Sequence, residues 1–140
     1  MPALTVQTQI AQAHIGTIAA GTSDERAIFV APVDCEILKA YLTVGTSVPA
    51  GATNFTTFNL RAKGSAGTGT ASLASFNTDA GQTSLTAFVP HSFGSLSNNG
   101  IVKGQAVTLD KVDSGAGDLM DEGLVTIVWK PKEGLRQHET

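Results

Sequence analysis

Apolar side chains recur along this chain at every second position, in short runs, and almost nowhere at the three-to-four spacing of a helix. The runs are rich in Val, Ile, Thr and Phe and are separated by clusters of Gly, Pro, Asn and Asp, the pattern of strands joined by turns. The first covers residues 4–10, where Leu4, Val6 and Ile10 share the apolar positions, and a short second run covers 14–18. The third, 26–30, is stopped by Pro32, which has no N–H to give to a ladder. The strongest is 36–44, in which Ile37, Lys39, Tyr41 and Thr43 alternate with Leu38, Ala40, Leu42 and Val44, so that one face is core. Further strands are predicted at 55–61, 70–76, 84–89, 107–112 and 124–130. Room for a helical turn exists only at 80–87 and 118–122. Strands at this spacing, with no repeated unit, predict an all-β chain: a single jelly-roll-like antiparallel β-sandwich of about eight strands with an extended N-terminal segment.

The loops fit this reading. Residues 45–53 hold Pro49 and Gly51, residues 64–69 hold three glycines, and Asn98-Asn99-Gly100 is a turn sequence because Asn and Gly tolerate positive φ. Residues 1–20 form either an arm or the first strand, 21–131 the sandwich, and 132–140 a polar tail with too little apolar content to pack alone.

Composition narrows the function classes. Of 140 residues 41% are hydrophobic, enough for one core, while 15% are charged against roughly 25% in a typical globular domain. Thr, Ser, Asn, Gln and Gly supply the polar share, which suits either a protein packed against neighbours or an ordinary β domain. The net charge is −3, and the nine basic residues do not cluster beyond Lys130, Lys132 and Arg136, so nucleic acid is not an expected partner. The start lacks the basic, apolar signature of a signal peptide, and no run approaches the ~18 apolar residues of a membrane span, so a soluble protein made in a cytoplasm is expected. A single cysteine, Cys35, allows no internal disulfide and reads as a small packed residue rather than a reactive thiol.

No catalytic, cofactor-binding or metal set emerges. The run Gly64-Ser65-Ala66-Gly67-Thr68-Gly69 resembles a phosphate loop but lacks Gly-Lys-Ser/Thr and leads into a strand-like run, so it reads as a hairpin loop. Asp110, Asp113, Asp118, Asp121 and Glu122 offer oxygens without EF-hand spacing, leaving weak calcium binding at Asp113, Asp118 and Asp121 as the minor reading beside a solvated turn. His14, His91 and His138 share no metal-ligand spacing. Trp129 is assigned to the core, and the single Trp and single Tyr argue against a carbohydrate cleft or a glycosidase. An enzyme is not expected, and neither is a small-molecule substrate.

Three stretches carry a resemblance. The strand Ile28-Phe29-Val30, its break at Ala31-Pro32 and the strand Ile37-Leu38-Lys39-Ala40 are followed by Val102-Lys103-Gly104-Gln105-Ala106-Val107, with Gln105 where Asp is commoner, and by Val125-Thr126-Ile127-Val128-Trp129-Lys130. Over roughly 26–131 this resembles the capsid decoration (cement) proteins and head-fibre bases of tailed bacteriophages. The resemblance implies a non-enzymatic virion protein on the capsid exterior, made in the bacterial host cytoplasm. It implies binding to the major capsid protein, often as a homotrimer, with no cofactor. In that reading Leu4, Val6 and Ile10 on the N-terminal segment meet an adjacent subunit. The alternative is a receptor- or glycan-binding domain of a phage fibre or tail, with exposed side chains at loop tips around Phe93 or Asn98.

Overall fold

The computed structural model describes residues 7–132, and among these every regular element is a strand. The strands are β1 (Gln9–Ile18), β2 (Asp24–Val30), β3 (Cys35–Thr43), β4 (Phe55–Ala62), β5 (Ala71–Asn77), β6 (His91–Ser92), β7 (Gly100–Ile101), β8 (Ala106–Ser114) and β9 (Met120–Pro131). All pairings are antiparallel. One sheet runs β1-β9-β3 and is completed by β6 and β7, which pair with opposite ends of the same edge of β3. The other runs β2-β8-β4-β5. With β6 and β7 counted as one interrupted strand, this is the four-on-four order of a jelly roll, in which most connections cross from sheet to sheet.

Alternation places the core. Phe58 and Leu60 of β4, Val107 and Leu109 of β8, and Val125 and Ile127 of β9 point inward and are almost completely buried. Two aromatic contacts tie the layers together: Phe29 of β2 lies 5.7 Å from Trp129 of β9, and Phe76 of β5 lies 5.0 Å from Phe93, just after β6. Trp129 is half-buried against this core. Strict alternation in β3 would put Ile37 and Leu42 on opposite faces, yet both are fully buried. A bulge between Ile37 and Lys39, where two steps along β3 match one step along β9, reverses the phase and turns both inward. Cys35, at the start of β3, is buried outright.

Several boundaries differ from the periodic reading. The two runs expected at 4–10 and 14–18 are, over the described residues, one strand, β1, which hydrogen-bonds β9 and turns Ala11, Ala13, Ile15 and Ile18 toward the core. Its register shifts around Gly16, whose φ of +83° needs a residue without a Cβ. The strand expected at 84–89 is absent, because this run has no neighbouring strand to pair with. Only Leu85 forms a bridge, to Val48, and the Ala87 and Phe88 amides donate to Ser47 Oγ and Val44 O of the β3–β4 loop. Neither 80–87 nor 118–122 is helical; Met120 already begins β9.

Leu60→Ala should cost about 2–5 kcal/mol, because the side chain is fully enclosed and the cavity cannot collapse between two sheets. Val112→Ala, on the outward side of β8, should change stability by less than about 0.5 kcal/mol. Urea unfolding of the two variants checks the contrast.

Candidate functional site: a braced, uncharged loop end

The jelly roll gathers four connections at one end: residues 19–23, 44–54, 78–90 and 115–119. These loops contain no Lys, Arg, His or Glu and only two aspartates, Asp79 and Asp118. The connections at the opposite end carry Asp34, Lys63 and Lys103. Charge depletion is therefore confined to one end.

That end is held by a buried polar network. Lys111 of β8 has a fully buried side chain, and its Nζ donates to Asp113 Oδ1 (2.7 Å) and to the carbonyls of Thr22 (2.9 Å) and Ala19 (3.2 Å). All three ammonium protons are used, which is what a charge without water requires. Asp113 Oδ1 also accepts from Thr56 Oγ1 (2.8 Å), which in turn accepts from the Asp118 amide (2.8 Å). The Thr56 amide donates to Thr78 Oγ1 (3.0 Å), and Thr78 Oγ1 donates to Asp118 Oδ2 (2.5 Å). The Asp113 amide donates to Ser23 Oγ (3.0 Å) and the Ala116 amide to Asn54 Oδ1 (2.8 Å). All four connections are thus tied to one ion pair. Gly117 closes over it at φ +63°, where an added Cβ would lie 2.1 Å from Asp113 Cγ, so no side chain fits.

On this frame two features face solvent. One is a shallow depression of about 200 Å³ lined by Thr46, Ser47, Val48, Pro49, Asp118 and Leu119. The other is Phe88-Val89, with Phe88 74% exposed. A second shallow groove, of about 320 Å³, lies between Gln12, Tyr41, Pro90 and Thr126 on the outside of the β1-β9-β3 sheet. The outside of the other sheet is laced by ion pairs, Lys63–Glu25 at 2.8 Å and Arg61–Asp110 at 3.1 Å.

The residues singled out from the sequence are dispersed. Ile10 sits 69% exposed near the start of β1, at the end opposite the braced loops, whereas Leu4 and Val6 lie outside the described residues. Asp113 and Asp118 belong to the network, while Asp121 accepts from Thr46 Oγ1 (2.8 Å) and Thr17 Oγ1 (3.0 Å). Among the described residues no three His, Cys, Asp or Glu side chains gather as metal ligands. His14 is exposed on β1, His91 stacks edge-on against Phe76 at 4.4 Å, and His138 lies outside the described residues. Phe93 is not at an exposed loop tip. It is 6% exposed and packs on Phe76 because the edge of β3 continues past β6, with the Phe93 amide donating to Ala40 O. Asn98 is exposed, and its Nδ2 donates to Ser72 O. Burial pushes the Cys35 thiol pKa up, away from reactivity.

Sequence reading passed over Lys111 and Phe88. A signal existed for the first: Val107, Leu109, Lys111 and Asp113 share one parity along β8, so continuing the alternation puts both charges on the core side.

No family model matches this chain, and none of the curated proteins matches it in sequence. Among solved structures it is similar to a chain of the cyanophage Pam1 capsid asymmetric unit, with a TM-score of 0.52 and 18% identity. The match covers 94% of this chain and 91% of that one. The two share a fold.

Lys111→Met should destabilise the protein by about 3–5 kcal/mol, because it strands a buried carboxylate and two carbonyls. Adding Asp113→Asn should recover part of that loss, and a double-mutant cycle from urea unfolding measures the coupling. Acid should destabilise in two stages. Burial lowers the His91 pKa below its ordinary 6.5, so its contribution is present above pH 6.5 and is lost as pH falls through the folded value. The Lys63 ammonium and the Thr108 hydroxyl, helped by Coulomb attraction, hold Glu25 below its ordinary 4.5, so its contribution is lost only under pH 4.5. Thermal unfolding against pH checks both stages, and His91→Gln should remove the first.

Proposed function

We propose that this protein is a non-enzymatic structural component of a phage virion, bound to the outer surface of the capsid shell and stabilising it through the major capsid protein. The observation that carries this reading is the near full-length fold likeness to a chain of a phage capsid asymmetric unit. A braced loop end with few charges is the kind of surface such a role calls for, since charged side chains are depleted at the centres of protein interfaces. The role needs no pocket, and the two depressions described above are shallow and open.

In this reading the N-terminal segment reaches an adjacent copy, with Leu4, Val6 and Ile10 supplying apolar contact and a homotrimer as the assembled unit. Exposed Ile10 supports it, as does the outer edge of β1, which no strand pairs among the described residues and whose ten residues include no Asp, Glu, Lys or Arg. Edge strands of that kind invite pairing with another chain unless charge or proline guards them. Weak contacts repeated over many copies then become effectively permanent.

Purified protein should co-sediment with expanded, undecorated capsid shells at a fixed, saturable ratio to the major capsid subunit. Absence of saturable binding by a folded chain would reject the capsid role. Deleting residues 1–6 leaves β1 whole, so the variant should stay folded, lose the trimer mass in analytical ultracentrifugation, and bind shells more weakly.

A further inference from the structure

Phe88 combines two costly features. It is a large aromatic side chain 74% exposed to water, and its backbone sits at φ +62°, a region that bulky residues avoid and that Gly or Asn would occupy with less strain. The surroundings enforce the conformation. The Phe88 amide donates to Val44 O (2.8 Å) and the Ala87 amide to Ser47 Oγ (2.9 Å), while Leu85 and Val48 exchange both backbone hydrogen bonds, at 2.8 and 2.9 Å. The loop is pinned to the β3–β4 connection on three successive levels, and the ring is the part left free. Ser47 and Val48 also line the 200 Å³ depression, so the ring and the depression share one rigid wall.

We propose that Phe88 is the anchor by which this end docks on the capsid shell, its ring entering an apolar recess of the major capsid protein. This rests on the capsid reading given above. The partner's chemistry follows from the charge distribution. Residues 84–90 carry no charge, the connections around them hold only Asp79 and Asp118, and Asp118 is engaged with Thr78. The few charges at this end, Asp79 and Asp118 in the loops and Asp121 and Glu122 against the β3–β4 connection, are all acidic, so an acidic or nucleic-acid surface is disfavoured, whereas a largely neutral protein surface with an apolar recess loses little ion hydration against it. Aromatic anchors held in place before binding carry a disproportionate share of interface energy, because little ordering remains to be done on contact. The strained backbone aims such an anchor away from its own core. Val30 and Val102, also exposed, lie at the opposite end, whose connections carry Asp34, Lys63 and Lys103.

The test separates fold from docking by using the strain itself. Phe88→Gly relieves the positive φ, so its Tm should equal or exceed that of the parent, while its affinity for undecorated shells should drop roughly tenfold or more. Phe88→Asn should behave alike, and Val102→Ser should bind as the parent does. Parent and variants are compared by co-sedimentation over a concentration series, with solution mass measured in parallel. If the parent binds and Phe88→Gly binds equally, the anchor is refuted and the capsid role stands. If the parent itself does not bind, the capsid role and its anchor fail together. If Phe88→Gly changes only the solution mass, the ring contacts a second copy of this chain and the proposal is overturned.

Discussion

A lysine with no water around it dictates the architecture of one end of this molecule. Burying an ammonium is tolerable only when each proton has an acceptor, and Lys111 finds one carboxylate and two carbonyls. Those carbonyls belong to the β1–β2 connection, which must therefore fold back over β8. The carboxylate belongs to Asp113, two residues on, and its lone pairs recruit Thr56, which recruits Asp118, which recruits Thr78. Loops far apart in sequence are thereby set to one geometry by a single charge. Gly117 belongs to the same constraint, since the chain must pass too close to Asp113 for any side chain.

The two ends and two faces of the sandwich are consequently unlike. The braced end carries few charges and presents the Phe88 ring, while the other end and the outside of the β2-β8-β4-β5 sheet carry most of the described ion pairs. The sandwich also treats its edges differently. β5 is covered where the Ser97 amide and Asn98 Nδ2 bond to Leu73 O and Ser72 O, and β2 carries Asp24, Glu25 and Arg26. β1 has no charged residue of its own and no strand on its outer edge among the described residues, although Arg26 Nη1 donates to its Ile15 O.

Much of the fold was legible because strand alternation survives wherever a strand has one dry and one wet face. The runs at 26–30, 55–61, 70–76, 107–112 and 124–130 all correspond to strands, with boundaries off by a few residues. The failures have physical causes. Residues 84–89 alternate but have no neighbour to pair with, and tertiary contacts with the β3–β4 loop decide their shape. The bulge in β3 leaves no mark in composition, since Ile37 and Leu38 are both apolar and nothing in the sequence says which of the two turns inward. Loop tips were the hardest. Phe88 lies within the expected run 84–89 and Phe93 just after it, yet Phe93 closes the core and Phe88 projects into water, because only Phe93 continues the β3–β6 ladder. The network was half legible: the parity of Lys111 and Asp113 marks them as inward, whereas Thr56 and Thr78 are partners that only the fold brings near.

The antiparallel pairing of β1 and β9 leaves Gln9 beside Trp129, so both described extremities of the chain emerge side by side at the end away from the braced loops. Tension applied between them would part that ladder one rung at a time, like a zipper, and meet little resistance. Tension applied between the braced end and the extremities runs along the strands instead, where it must shear every rung of a ladder together. The molecule is therefore mechanically anisotropic, stiff along its long axis and soft across the seam where its two extremities meet.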